Sequence, residues 1–159
     1  MIRVRPRVAA DEPVVGAFLE RWYSSVVARR GELLRPLDHP ELVAEDASGR
    51  LLGVLTYVVR GDECEVLTLH ADERRRGVGT ALLDEARRIA ADAGCRRLWL
   101  ITTNDNVDAL RFYQRRGFRL AALHAGAVDE SRARLKPSIP AVGEYGIAIR
   151  DELELELSL

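Results

Sequence analysis

Between the short apolar stretch Leu67-Thr68-Leu69 and an amphipathic helical segment lies Arg74-Arg75-Arg76-Gly77-Val78-Gly79-Thr80. A helix start leaves backbone N–H groups unpaired and carries partial positive charge. Glycines at alternate positions let an anion approach that backbone, because no Cβ stands in the way. With three arginines beside it, the segment reads as a cradle for a pyrophosphate; a solvated charged turn is the plainer use of the same residues. Two rival phosphate motifs are excluded. There is no Gly-Lys-Ser/Thr for a P-loop, and Leu82 stands where a dinucleotide fingerprint needs its third glycine.

The rest of the chain sets bounds on that chemistry. Its 159 residues suffice for one domain with its own core. A composition of 47% hydrophobic and 31% charged residues is that of a folded globular chain. The 24 basic and 25 acidic residues nearly cancel, which argues against a protein that lives on nucleic acid or an anionic membrane. Cys64 and Cys95 lie far apart in no metal-ligand spacing and read as buried thiols. No cluster of His, Cys and carboxylates implies a metal. No segment has the length of a signal peptide or membrane span, so the expected location is cytoplasmic.

The elements that must position the loop follow from periodicity. Ile2–Arg5 reads as a first strand ending at Pro6. Asp11 reads as the N-cap of a helix running to about Val27, with Val14, Val15, Phe18, Leu19, Trp22 and Tyr23 at helical spacing. Residues 28–40 read as loop or short helix. Strands at 42–45, 51–59 and 63–70, joined by turns, make an antiparallel meander. A helix opens at Gly77-Val78-Gly79-Thr80 and stops near Gly94. A strand at 97–102, a helix at 106–115 and a strand at 118–123 follow. Residues 124–146 read as one long irregular loop, and 152–157 as a strand with alternating glutamates on a wet face.

Arg-x-x-Gly-x-Gly after a strand and before an amphipathic helix resembles the coenzyme A signature of the GNAT superfamily of N-acetyltransferases. The stretch Asn106-Val107-Asp108-Ala109-Leu110-Arg111-Phe112-Tyr113-Gln114-Arg115-Arg116-Gly117-Phe118 is similar to that family's second signature, Asn-x-x-Ala-x-x-x-Tyr-x-x-x-Gly-Phe. The resemblance is strong over about 63–118, and the element order extends it over nearly the whole chain. Thr80 stands where many members have alanine or serine. It implies a mixed α/β domain over residues 1–159, with a twisted, mainly antiparallel sheet of about seven strands flanked by about four helices.

The resemblance also implies an activity: transfer of an acetyl group from acetyl-CoA to a primary amine, by direct attack in a ternary complex. Arg74, Arg75, Arg76, Gly77, Val78, Gly79 and Thr80 would hold the pyrophosphate. The backbone of Leu67, Thr68 and Leu69 would pair with the pantetheine arm where two strands splay apart. Asn106, with Ala109, would bind the cofactor arm, and Tyr113 would sit near the thioester sulfur. A phenol there can protonate the departing thiolate, whose conjugate acid has a pKa near ~8.5.

The amine's own proton needs an acceptor. Glu63 and Glu65, two apart on a strand that faces the cofactor, share one side of it, and Glu63 stands where some members carry a catalytic glutamate. His70 and His124 are weaker bases. Arg132, Arg134 and Lys136, in the long loop over the acceptor side, could greet an acidic substrate group. Each residue also has a plainer use: a core aromatic for Tyr113, an exposed strand face for the glutamates, an N-cap for Asn106, a solvated loop for the three basic residues. Transfer of a longer acyl group, or a regulatory domain that binds acetyl-CoA without turnover, are the rival functions. The acceptor is a small-molecule or peptide amine of open identity, and a homodimer is a family-level expectation.

Overall fold

A computed structural model of the chain describes residues 1–72 and 77–159. These residues form a mixed α/β fold with a seven-stranded, mostly antiparallel sheet, a separate two-stranded hairpin and four α-helices. The fold class expected from the sequence is the one observed. Two compact units divide the chain: Met1–Val27 with Arg35–Leu98 and Leu159, and Ala28–Leu34 with Trp99–Ser158.

In the first unit, β1 (Arg3–Pro6), β4 (Glu41–Glu45), β5 (Leu51–Arg60) and β6 (Glu63–Ala71) pair antiparallel in that order. α1 (Glu12–Arg21) packs Val15, Phe18 and Leu19 onto Val43 and Val54, all at most 1% exposed. α2 (Val78–Asp92) buries Val78, Leu82, Leu83, Ala86 and Ala90, the stripe its periodicity predicts. Gly94, in the left-handed region with φ 79°, lies just past its end.

α1 is shorter than its apolar pattern suggests. Asp11 does not cap it with its side chain. Its carboxylate instead accepts from the Val8 N–H at 2.8 Å and pairs with both terminal nitrogens of Arg5 at 2.8 and 3.0 Å. The helix stops at Arg21 because Tyr23 turns left-handed, φ 56°, and Ser24 N–H reaches back to the Leu19 carbonyl at 2.8 Å. That reversal usually falls on glycine, and no glycine marks it here.

In the second unit, β9 (Glu152–Ser158) pairs antiparallel with β8 (Arg119–His124) and neighbours β7 (Arg97–Thr103), most of which belongs to this unit. α3 (Val107–Arg115) follows β7, and α4 (Ala127–Arg134) follows β8. Three expectations are corrected here. Residues 28–40, expected as loop or short helix, do hold a short 3-10 helix at Pro36–Asp38, but before it comes the unexpected hairpin β2 (Val27–Arg29) and β3 (Glu32–Leu34). Residues 124–146 are not wholly irregular, since α4 lies within them. It escapes a periodicity search because only Val128 and Ser131 are buried on it. Nor is the glutamate face of β9 wet: Glu152 is 2% and Glu154 8% exposed.

Gly53 on β5 sets how closely α2 lies on its strands. A Cβ there would come within 2.8 Å of both the His70 carbonyl and Val78 Cγ1, and 3.1 Å of Leu82 Cδ1. Since the first of these is backbone, the clash cannot be relieved by a rotamer change. Gly53→Ala is therefore expected to destabilise the protein by about 1–3 kcal/mol, the range for overpacking, read as a lower midpoint in urea unfolding; an unchanged midpoint would show that the helix can lift at no cost.

Candidate active site

The sequence places cofactor binding at the end of β6 and the start of α2. Arg74, Arg75 and Arg76 lie outside the described residues. Gly77 is the N-cap of α2, left-handed with φ 78°, and makes no side-chain cap. A Cβ at Gly77 would meet nothing within 4 Å among the described residues, so its left-handed backbone rather than close packing is what favours glycine there. Val78 and Gly79 are buried and Thr80 is partly so.

β6 carries the next three predicted residues. Thr56 faces Thr68 and Tyr57 faces Val66, so Leu67 is an extra residue, a β-bulge. A bulge leaves its residue out of the ladder and re-aims the neighbouring side chains. The Thr68 hydroxyl is engaged with that of Thr56 at 2.7 Å, which in turn donates to Glu41 Oε2 at 2.6 Å. Glu41 is buried, and burial pushes its carboxyl up to about 7 against the pull of the Thr56 hydroxyl and of Arg7, whose Nε lies 3.0 Å from its other oxygen. Leu69 stays in register opposite Leu55.

The two candidate bases differ. Glu63 pairs with Arg97 at 3.0 Å. Glu65 is only 3% exposed, not the solvent-facing residue its spacing alone allows. His70 stacks on Trp22, ring centroids 5.1 Å apart and 7° from parallel, and its Nε2 lies 2.7 Å from Ser24 Oγ. Neither Trp22 nor Ser24 stood out in the sequence as a partner of His70.

In the second unit, Asn106 caps α3, its Oδ1 accepting from the Ala109 N–H at 3.2 Å. Tyr113 is 7% exposed and wedged edge-on against Phe112 and Phe118, at centroid distances of 5.1 and 5.3 Å. Its hydroxyl has no hydrogen-bond partner among the described residues. Burial pushes the phenol above its ordinary pKa, and Arg116 only partly offsets this. The group is thus neutral around pH 7, with a proton to give.

With that geometry in view, the relatives are informative. Residues 11–118 match the model of the Acetyltransferase (GNAT) family. The chain belongs to the GNAT family. Among its relatives, the uncharacterized protein YdhI of Bacillus subtilis is 39% identical over 153 residues, covering 96% of this chain and 95% of YdhI. Streptothricin acetyltransferase of Streptomyces lavendulae is 29% identical over 141 residues, covering 84% of this chain and 74% of that protein. A Bacillus subtilis acetyltransferase crystallised in complex with CoA shares the fold, with a TM-score of 0.73 at 19% identity, covering 100% of this chain and 99% of that one.

The segment after α4 in this GNAT chain is held by Arg132 and by two side chains the sequence did not single out, Asp105 and Tyr145. Arg132 donates to the carbonyls of Ile139, Pro140 and Ile149 at 2.8–2.9 Å. Asp105, 5% exposed, accepts from the Thr103 hydroxyl at 2.5 Å and the Glu144 N–H at 3.0 Å. Tyr145 donates to Asp108 at 2.9 Å. Arg132 thus acts as a staple rather than a solvated charge. Arg132→Lys keeps the charge but loses the planar fork, and is expected to cost about 1–3 kcal/mol. Amide hydrogen exchange over residues 139–149 should accelerate with it; protection equal to wild type would show that the three carbonyls do not depend on the guanidinium.

Proposed function

We propose that this chain is an acetyl-CoA-dependent N-acetyltransferase that acetylates a primary amine by direct attack within a ternary complex, residues 1–159 acting as one catalytic domain. The observation that carries this reading is Tyr113: a buried, neutral phenol with an uncommitted hydroxyl, in the signature position of a GNAT chain. The CoA complex of the B. subtilis fold relative supports CoA as the carrier. The relative named streptothricin acetyltransferase, after a small molecule, supports a small-molecule acceptor.

In this reading the backbone at the start of α2, with Arg74, Arg75 and Arg76, takes the pyrophosphate. The backbone at Leu67, Thr68 and Leu69 takes the pantetheine arm; the bulge frees backbone there, and Thr68's hydroxyl is already occupied. Asn106 and Ala109 contact the same arm. The amine nitrogen attacks the thioester carbonyl, so a C–N bond forms and the C–S bond breaks. Tyr113 gives its proton to the sulfur. The proton lost by the amine goes to Glu63 or Glu65, directly or through water, and returns through solvent to the tyrosine.

The test is free-thiol release from acetyl-CoA across a panel of amines. Tyr113→Phe keeps the ring packing and removes only the proton, so kcat should fall by roughly 10²-fold, the low end of general-acid effects, with the melting temperature unchanged. Glu63→Gln and Glu65→Gln run alongside should lower the rate at one position, identifying the acceptor of the amine proton. Amine-dependent release that is unaffected by Tyr113→Phe would remove the acid role. No release with any amine, despite acetyl-CoA binding, would instead favour a sensing domain.

A further inference from the structure

A cleft of about 560 Å³ opens within the second unit, lined among others by Arg30, Gly31, His124, Glu130, Arg134 and Glu152. Its chemistry is that of opposed, incompletely satisfied charges. Glu152 is 2% exposed, yet one of its oxygens has a single hydrogen-bond donor, the Arg30 backbone N–H at 3.0 Å, and no other side-chain partner is found for it among the described residues. A buried carboxylate with spare acceptor capacity is costly to hold. Burial moves Glu152 toward its protonated form, while His124, Arg29 and Arg30 pull the other way. Its strand neighbour differs, because Glu154 faces His124 at 3.3 Å.

Arg30 is the matching half. It sits at the turn of the β2–β3 hairpin with φ 49°, followed by Gly31 at φ 74°, a turn shape that favours asparagine and glycine. The left-handed backbone aims its N–H at Glu152. Its guanidinium lies instead over the Trp99 ring, 5.2 Å from the centroid, and meets no carboxylate at ion-pair distance among the described residues. The other cations nearby are committed: Arg29 to Glu32 at 3.5 Å, and Arg134 to Glu130 at 3.3 Å. A strained non-glycine residue in a cleft wall, carrying an unclaimed guanidinium, points to a ligand that uses it.

We propose that this cleft is the acceptor subsite and that it takes a small free amino acid, with the ammonium on Glu152 and the carboxylate on the Arg30 guanidinium. The word acceptor rests on the acetyltransferase reading; the binding itself does not. The geometry lends itself to clean variants. Glu152→Gln keeps an acceptor for the Arg30 N–H while removing the negative charge. Arg30→Gly keeps the turn, which glycine adopts freely, and keeps the N–H, removing only the guanidinium.

The experiment measures melting temperature and then calorimetric affinity for the twenty amino acids and their carboxamides, without acetyl-CoA. At least one amino acid should stabilise the wild type and bind roughly tenfold more tightly than its carboxamide, the order of one charge-assisted contact. Glu152→Gln should weaken both by roughly tenfold. Arg30→Gly should bring the amino acid down to the affinity of its carboxamide and leave the carboxamide unchanged. No binding by any amino acid, or binding undiminished in both variants, would overturn the proposal. Adding acetyl-CoA separates the two readings: binding with no thiol release keeps the cleft and removes the transferase, while release with other amines but no amino-acid binding removes the cleft alone.

Discussion

The close approach of α2 to β5 and β6 is the constraint from which the cofactor end of the first unit follows. Gly53 lets Val78 and Leu82 settle against the strand pair at a distance that any Cβ would prevent. Those residues lie in the first turns of the helix that Gly77 opens. Packing thereby fixes where the helix begins: the helix is placed by its apolar stripe, and its polar start is carried along with it. Gly77 then supplies the left-handed step at which that helix begins without a side-chain cap.

The second unit solves a different problem. Its strand β9 alternates leucine and glutamate, and both faces are covered, so two glutamates must be accommodated in the interior. Glu154 is met by a histidine and Glu152 by a backbone N–H from the hairpin turn. Burying carboxylates in this way is unfavourable against an apolar strand of the same shape. It makes sense where their charge is used, and it adds a polar contact between the hairpin turn and β9 to the burial of Leu34.

Much of this was legible in the sequence, and the failures have physical causes. The meander, α2 and the order of elements could be read because apolar periodicity and glycine stops agree there, as at Leu82, Ala86 and Gly94. The end of α1 was hidden because a tyrosine, not a glycine, takes the left-handed step. α4 was hidden because a helix with only Val128 and Ser131 buried leaves almost no apolar stripe. The burial of Glu152 was hidden because alternation reports which residues share a face, not what covers it. Tyr113 and Asn106 could be singled out from a motif, yet that the Tyr113 hydroxyl meets no partner among the described residues belongs to the packing alone.

The staple made by Arg132 has a consequence for recognition as well as for stability. One guanidinium gathers carbonyls from Ile139, Pro140 and Ile149, while Asp105 and Tyr145 pin the residues between. A segment of that length left loose would have to be immobilised each time a ligand arrived, at a cost in conformational entropy for every ordered side chain. Here the ordering is completed during folding. Any ligand that reached this stretch would meet backbone already held by these hydrogen bonds, so its recognition would draw on shape and charge set in folding rather than on a closing motion.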